Sequence, residues 1–202
     1  MDDFNHYLKT QKDRLNGTQE NGVSRLNFRK ASDIEETEIK WLWEDMIPAG
    51  QLSLIAGESG VGKTSLLCNF AAVVSRGGCF PGAKQPCRKS QVIFLTGEDG
   101  ISDTIISRLR LSDAYMDNVQ ILDANVGEKD YFNVHEHLSE LEAAISNMDE
   151  VGLIIIDPIT AFMGANADTN QVGVVRPVAT KLKILAERTG AAVMILNHLG
   201  KN

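Results

Sequence analysis

The sequence holds 202 residues, 43% hydrophobic and 23% charged, enough for one sizeable core, which excludes a wholly disordered chain. No run approaches the roughly 18–20 apolar residues of a membrane span, and the start Met1-Asp2-Asp3-Phe4 lacks a secretory leader's basic and apolar stretches, so a cytoplasmic protein without membrane attachment is predicted. The net charge of −7 excludes a generally basic nucleic-acid coat, and Cys68, Cys79 and Cys87 form no CxxC pair, so neither a disulfide framework nor a structural zinc site is expected.

Residues 1–24 are polar and carry the turn signals Asn16-Gly17 and Asn21-Gly22. They predict a flexible N-terminal arm ahead of a domain over 25–202. Leu26-Asn27-Phe28 suits a short strand. Trp41-Leu42-Trp43 places two indoles at i, i+2, on one face of an extended segment that covers a core edge. From Gln51 onward, apolar runs alternate with helical periodicity. The strands are Leu52–Ala56, Val92–Thr96, Val119–Leu122, Leu153–Ile156 and Ala192–Leu196. Most are apolar at successive positions, as parallel strands buried on both faces are.

The first helix, Thr64–Arg76, carries Leu66, Leu67, Phe70, Val73 and Val74 on one stripe and stops at Gly77-Gly78. A second, with Ile105, Ile106 and Leu109 as its stripe, follows Glu98-Asp99, and Asp99 or Ser102 is its expected cap. A third spans Asn133–Met148, where Asn133 and Glu136 resemble a capping box. A fourth runs through Val175–Thr189. Strands alternating with helices mean a layered α/β fold on a mainly parallel sheet.

Gly57-Glu58-Ser59-Gly60-Val61-Gly62-Lys63-Thr64 is a complete GxxxxGK[ST] between an apolar strand and an amphipathic helix, the context that confirms a phosphate-binding loop. Its glycines let successive N–H groups converge on phosphate oxygens, and the helix start adds its dipole. With Ser65, these residues are the expected nucleotide-binding set. Lys63 suits the β- and γ-phosphates, and the Thr64 hydroxyl suits Mg²⁺. Leu153-Ile154-Ile155-Ile156-Asp157 ends a buried strand in a carboxylate, expected to hold the metal through water opposite Thr64. Pro158 follows it, so the activating carboxylate is sought elsewhere. Glu98, just past the Val92–Thr96 strand, is the expected general base. His198, at the tip of the last strand, is the expected γ-phosphate sensor. His135-Glu136-His137 has i, i+2 spacing, which splays two rings on a helix, and reads as a solvated face rather than a zinc pair.

These residues together resemble the RecA-like P-loop ATPases, and within them the AAA-type branch that includes the RepA-like hexameric helicases of plasmids and phages. Ala31-Ser32-Asp33-Ile34, Thr96-Gly97-Glu98-Asp99-Gly100, Arg108-Leu109, Ile156-Asp157-Pro158 and Asn197-His198-Leu199-Gly200-Lys201 carry the likeness. It implies a sheet order of 3-2-4-5-1, counting from Leu52–Ala56. It also implies ATP with Mg²⁺ at subunit interfaces of a homo-oligomer, a hexamer in the full-length form, with single-stranded DNA at the centre. The loop from Met163 to Gln171, without Lys or Arg, would face that centre. The family's later strands, with the Arg or Lys that enters a neighbour's site, have no counterpart before Asn202. The expectation is a core with its C-terminal strands missing and slow turnover. The first strand then lies at a sheet edge, expected to be covered by Arg25–Ala31, by Trp41–Trp43 or by a second chain. The implied function is Mg-dependent ATP hydrolysis in a DNA replication helicase, or else a recombination-type regulatory ATP-binding module.

Overall fold

The structure, a computed structural model, describes residues 28–97, 100–123, 132–163 and 172–198. The chain divides into two units, Met1–Glu38 and Ile39–Asn202. The described part of the first carries one 3-10 turn, Ala31–Asp33, closed by Asp33 N donating to Lys30 O at 3.0 Å. The predicted arm over 1–24 and the strand at Leu26–Phe28 lie outside the described residues, save Phe28.

The second unit opens on a hairpin of β1 (Trp41–Trp43) and β2 (Ile47–Pro48). The sequence then alternates β3 (Leu52–Gly57), α1 (Lys63–Arg76), β4 (Gln91–Thr96), α2 (Ile106–Leu111) and β5 (Val119–Asp123). It continues through α3 (Val134–Ser146), β6 (Val151–Asp157), α4 (Val172–Thr189) and β7 (Ala192–His198). A π-helical turn, Ile101–Ile105, leads into α2. β3 to β7 form one parallel sheet in the order β5-β4-β6-β7-β3, which is 3-2-4-5-1 counted from Leu52.

Each face of the sheet buries its own apolar layer. Phe94, Leu153, Ile155, Met194 and Leu196 pack with Leu67, Phe70 and Val74 of α1 and with Leu109 of α2. Ile93, Leu95, Ile154, Ile156 and Ile195 pack with Leu141 of α3 and with Leu182 and Leu185 of α4. Strand residues alternate between the layers, so the parity of each strand decides which face its last side chain joins.

Several expectations are corrected. Leu66 is 46% exposed, because the buried arc of α1 is centred on Leu67, Phe70, Ala71 and Val74 and Leu66 lies a third of a turn off it. Only Trp43 of the two indoles is inside. Its ring stacks on Phe80 at 4.9 Å and meets Phe70 edge-on at 5.6 Å, whereas Trp41 is exposed. A register shift between the two breaks the alternation that would have kept both on one face. β1 pairs with β2 and not with β3, and Leu54 on β3 is 60% exposed. The other candidate cover, Arg25–Ala31, falls partly outside the described residues. The N-cap before Ile101 is Gly100, with no side-chain cap from Ser102, and Asp99 lies outside the described residues.

Candidate nucleotide site

The site begins where β3 ends. Gly60 and Gly62 have φ of 81° and 90°, the left-handed region that a side chain resists, and this turns the loop back onto the start of α1. The Lys63 stem packs over Gly57, where even a Cβ would stand at ordinary contact distance, 3.5 Å, from its Cδ. Lys63 is 8% exposed, and its Nζ donates to Gly57 O at 2.9 Å and to Glu58 O at 2.6 Å. A buried ammonium held by two neutral carbonyls is an incomplete arrangement, and an anion beside it would supply the missing charge. Glu58 and Val61 are exposed and do not line the cavity described next.

A cavity of about 370 Å³ opens on the loop's inner side. Ser59, Gly60, Gly62, Lys63, Thr64 and Ser65 line its floor. Asp157, His198 and Arg108 complete the wall. The buried layers explain the convergence. Leu153 and Ile155 face α1, so Asp157 does too; Met194 and Leu196 face α1, so His198 does too. Each is the first polar side chain past the apolar run on that face. Asp157 is 5% exposed and His198 half-buried, with its Cα paired to that of Gly57. The structure thus brings Lys63, Thr64, Asp157 and His198 to one cavity. Glu98 lies outside the described residues.

Arg108 is the residue the sequence reading did not assign to the site. Ile105, at the end of the π-helical turn, and Leu109 of α2 are fully buried, and Arg108 beside them lines the cavity. Nothing in the spacing of the chain marks it, because its neighbour in space is a loop some forty residues away.

The donors fit a hydrated Mg²⁺. One carboxylate, Asp157, and the hydroxyls of Thr64, Ser59 and Ser65 line the same cavity. Among the described residues no group of three His, Cys, Asp or Glu side chains could cage a metal. Mg²⁺ keeps most of its waters and takes one or two protein oxygens plus phosphate, so a sparse oxygen set is the appropriate one. Beside Asp157, Thr96 Oγ1 is buried without a hydrogen-bond partner among the described residues. Such an orphan costs about 1–3 kcal/mol, so a polar group completing the site would relieve it.

The His135–His137 pair is corrected in part. Asn133 caps α3, its side chain accepting from His135 N at 2.8 Å. His137 is half-buried rather than solvated: its ring lies 5.6 Å from that of Phe132, and its Nδ1 accepts from Asn133 N at 3.0 Å. It thereby takes the reciprocal place in the capping box that the sequence suggested for Glu136. Cys79 is exposed and Cys87 half-buried, and burial pushes the Cys87 thiol up.

The family profile described as AAA domain matches residues 19–202. Curated relatives are distant. The DNA repair protein RadA of Halalkalibacterium halodurans is 25% identical over 155 residues, 77% of this chain and 29% of that protein. RadA of Chlamydia muridarum is 22% identical over 200 residues, 96% of this chain and 38% of its own length. RadA of Brucella abortus is 26% identical over 155 residues. The chain thus spans about a third of the length of these relatives. The profile covers most of the chain, and the sheet order and phosphate loop agree with it: the chain belongs to the AAA domain family and is a RecA-like P-loop ATPase.

Proposed function

We propose that this chain binds ATP with Mg²⁺ at the α1 cavity and hydrolyses it to drive work on DNA. The observation that carries the reading is the convergence of Lys63, Thr64, Asp157 and His198, from three separate elements, on one cavity over the loop. The loop amides and the α1 dipole bind and orient the phosphates. Lys63 carries its charge to the β- and γ-phosphates, and Arg108, lining the same cavity, adds a second cation. Thr64 and Asp157 are the residues that would hold the metal, which when bound neutralises charge on the phosphate oxygens. Glu98 takes the proton of the attacking water, and His198 hydrogen-bonds the γ-phosphate and loses that bond on hydrolysis.

The DNA part of the reading is supported by the resemblance to RepA-like helicases and by relatives that are DNA repair proteins. The first favours a ring-shaped replicative helicase. The second favours a recombination-type module whose ATP state regulates a partner, with little turnover of its own. Steady-state ATP turnover with and without single-stranded DNA tests what they share: stimulation by DNA supports both, and turnover indifferent to DNA supports neither. Unwinding of a forked duplex then separates the two. A chain that binds no ATP, or whose Lys63→Ala variant binds it equally well, overturns the nucleotide reading.

A further inference from the structure

Thr96 is the last residue of β4, 2% exposed, and among the described residues its hydroxyl has no hydrogen-bond partner. Its Cα pairs with that of Asp157 across β4 and β6, and Gly97 N donates to Asp157 O at 3.2 Å just beyond, so the two strand ends are held in register. Side chains paired in this way on neighbouring strands leave the sheet on the same face. Val92 and Phe94 of β4 pack in the α1 layer with Leu153 and Ile155 of β6, so Thr96 and Asp157 share the cavity's face. The two positions differ in one respect. Asp157 reaches the cavity wall, and Thr96 lies one strand behind it.

A buried hydroxyl with nothing to bond is the less stable choice where valine has the same shape and suits a strand better. The four positions before it, Val92, Ile93, Phe94 and Leu95, are all apolar. The switch to a hydroxyl occurs at the rung that holds Asp157.

We propose that Thr96 is a positioning residue for the metal site: when the site is filled its hydroxyl donates to the neighbouring Asp157 carboxylate, and so fixes that carboxylate's orientation toward the metal's hydration shell. This rests on the reading of the cavity as a site for ATP with Mg²⁺. Outer-shell groups of this kind commonly change metal affinity by about 10–100-fold when removed.

The test uses the full chain with Thr96→Val, Thr96→Ala and Thr96→Ser. Two quantities are read: the thermal midpoint without ligand, and the Mg²⁺ concentration that half-saturates binding of a fluorescent non-hydrolysable ATP analogue. Thr96→Val should match or exceed the wild-type midpoint, since an orphan hydroxyl has been removed, and yet need about tenfold more Mg²⁺. Thr96→Ala should show the same Mg²⁺ shift whatever its stability, and Thr96→Ser should return to within about twofold of wild type, because the hydroxyl is restored. An unchanged Mg²⁺ requirement in Thr96→Val or Thr96→Ala overturns the proposal and leaves the nucleotide reading intact. Analogue binding by wild type that ignores Mg²⁺ overturns the proposal together with the metal part of the nucleotide reading, and leaves ATP binding itself standing. Absence of any analogue binding by wild type overturns the nucleotide reading itself, and the proposal with it.

Discussion

Lys63 sets the chemistry at the smallest scale. Its ammonium is buried against two carbonyls of its own loop, so it is already oriented before an anion arrives. Asp157 and His198 add a carboxylate and an imidazole to the same cavity. Glu98, the proposed base, is tested by Glu98→Gln. The substitution keeps shape and removes the proton acceptor, so ATP affinity should hold while turnover falls by about 10²–10⁴. Equilibrium binding beside a phosphate-release assay checks it, and undiminished turnover removes Glu98 from the mechanism. The cysteines give a second prediction. Thiolates are the reactive form, and burial raises the Cys87 pKa, so less thiolate exists at a given pH in the folded chain. Alkylation of native protein should therefore mark exposed Cys79 first. Cys87 labelling should rise only at higher pH than in denatured chain. The sign for stability follows: the protonated thiol is the form the fold prefers. Its contribution is present below the unfolded pKa and is lost as pH rises through the folded one. Peptide mapping after a pulse of iodoacetamide at stepped pH reads the order directly.

At the scale of elements, the strand ends place the site and the caps hold the helices. β6 and β7 deliver Asp157 and His198 because each has an apolar run of the right parity before its polar tip. α3 is fixed by the reciprocal bonds of Asn133 and His137. Asn133→Ala removes the side-chain acceptor for His135 N and should cost about 1 kcal/mol of stability. A urea titration measures it, and a midpoint unmoved by the substitution would show that the cap does not contribute. The capping box was legible in the sequence as Asn133 with Glu136. The use of His137 was not, because the partner depends on Phe132 packing against the imidazole ring, a contact no spacing rule contains. The two tryptophans teach the same point. Their i, i+2 spacing predicts a shared face, and a bulge set by the β1–β2 register removes it.

At the scale of the whole molecule, the sheet is a rigid frame with both faces covered, and the loops at its carboxyl end are left to bind. Ligand that enters only the folded state stabilises it. ATP analogue with Mg²⁺ at about a hundred times its dissociation constant should add about 2.7 kcal/mol. For a chain of this size that raises the melting midpoint by about 5–10 °C. Differential scanning fluorimetry with and without EDTA checks the size and the metal dependence together, and a midpoint that ligand does not move contradicts the site. The edge strand β3, with Leu54 facing solvent, belongs to this scale as well.

The phosphate loop was readable from the residues alone because it is contiguous. Eight successive positions specify turn, charge and hydroxyl, and the flanking strand and helix announce themselves by local periodicity. The α/β class was readable for the same reason, and the sheet order followed from the family likeness. What only the tertiary structure decided is which distant side chains meet. Arg108 joins the cavity beside the buried Ile105 and Leu109. Leu66 turns outward because the sheet takes Leu67 and Phe70 instead. Thr96 comes to stand beside Asp157 because β4 and β6 pair in one register. Those outcomes are set by burial and register across dozens of residues of chain, and a local pattern carries no record of them.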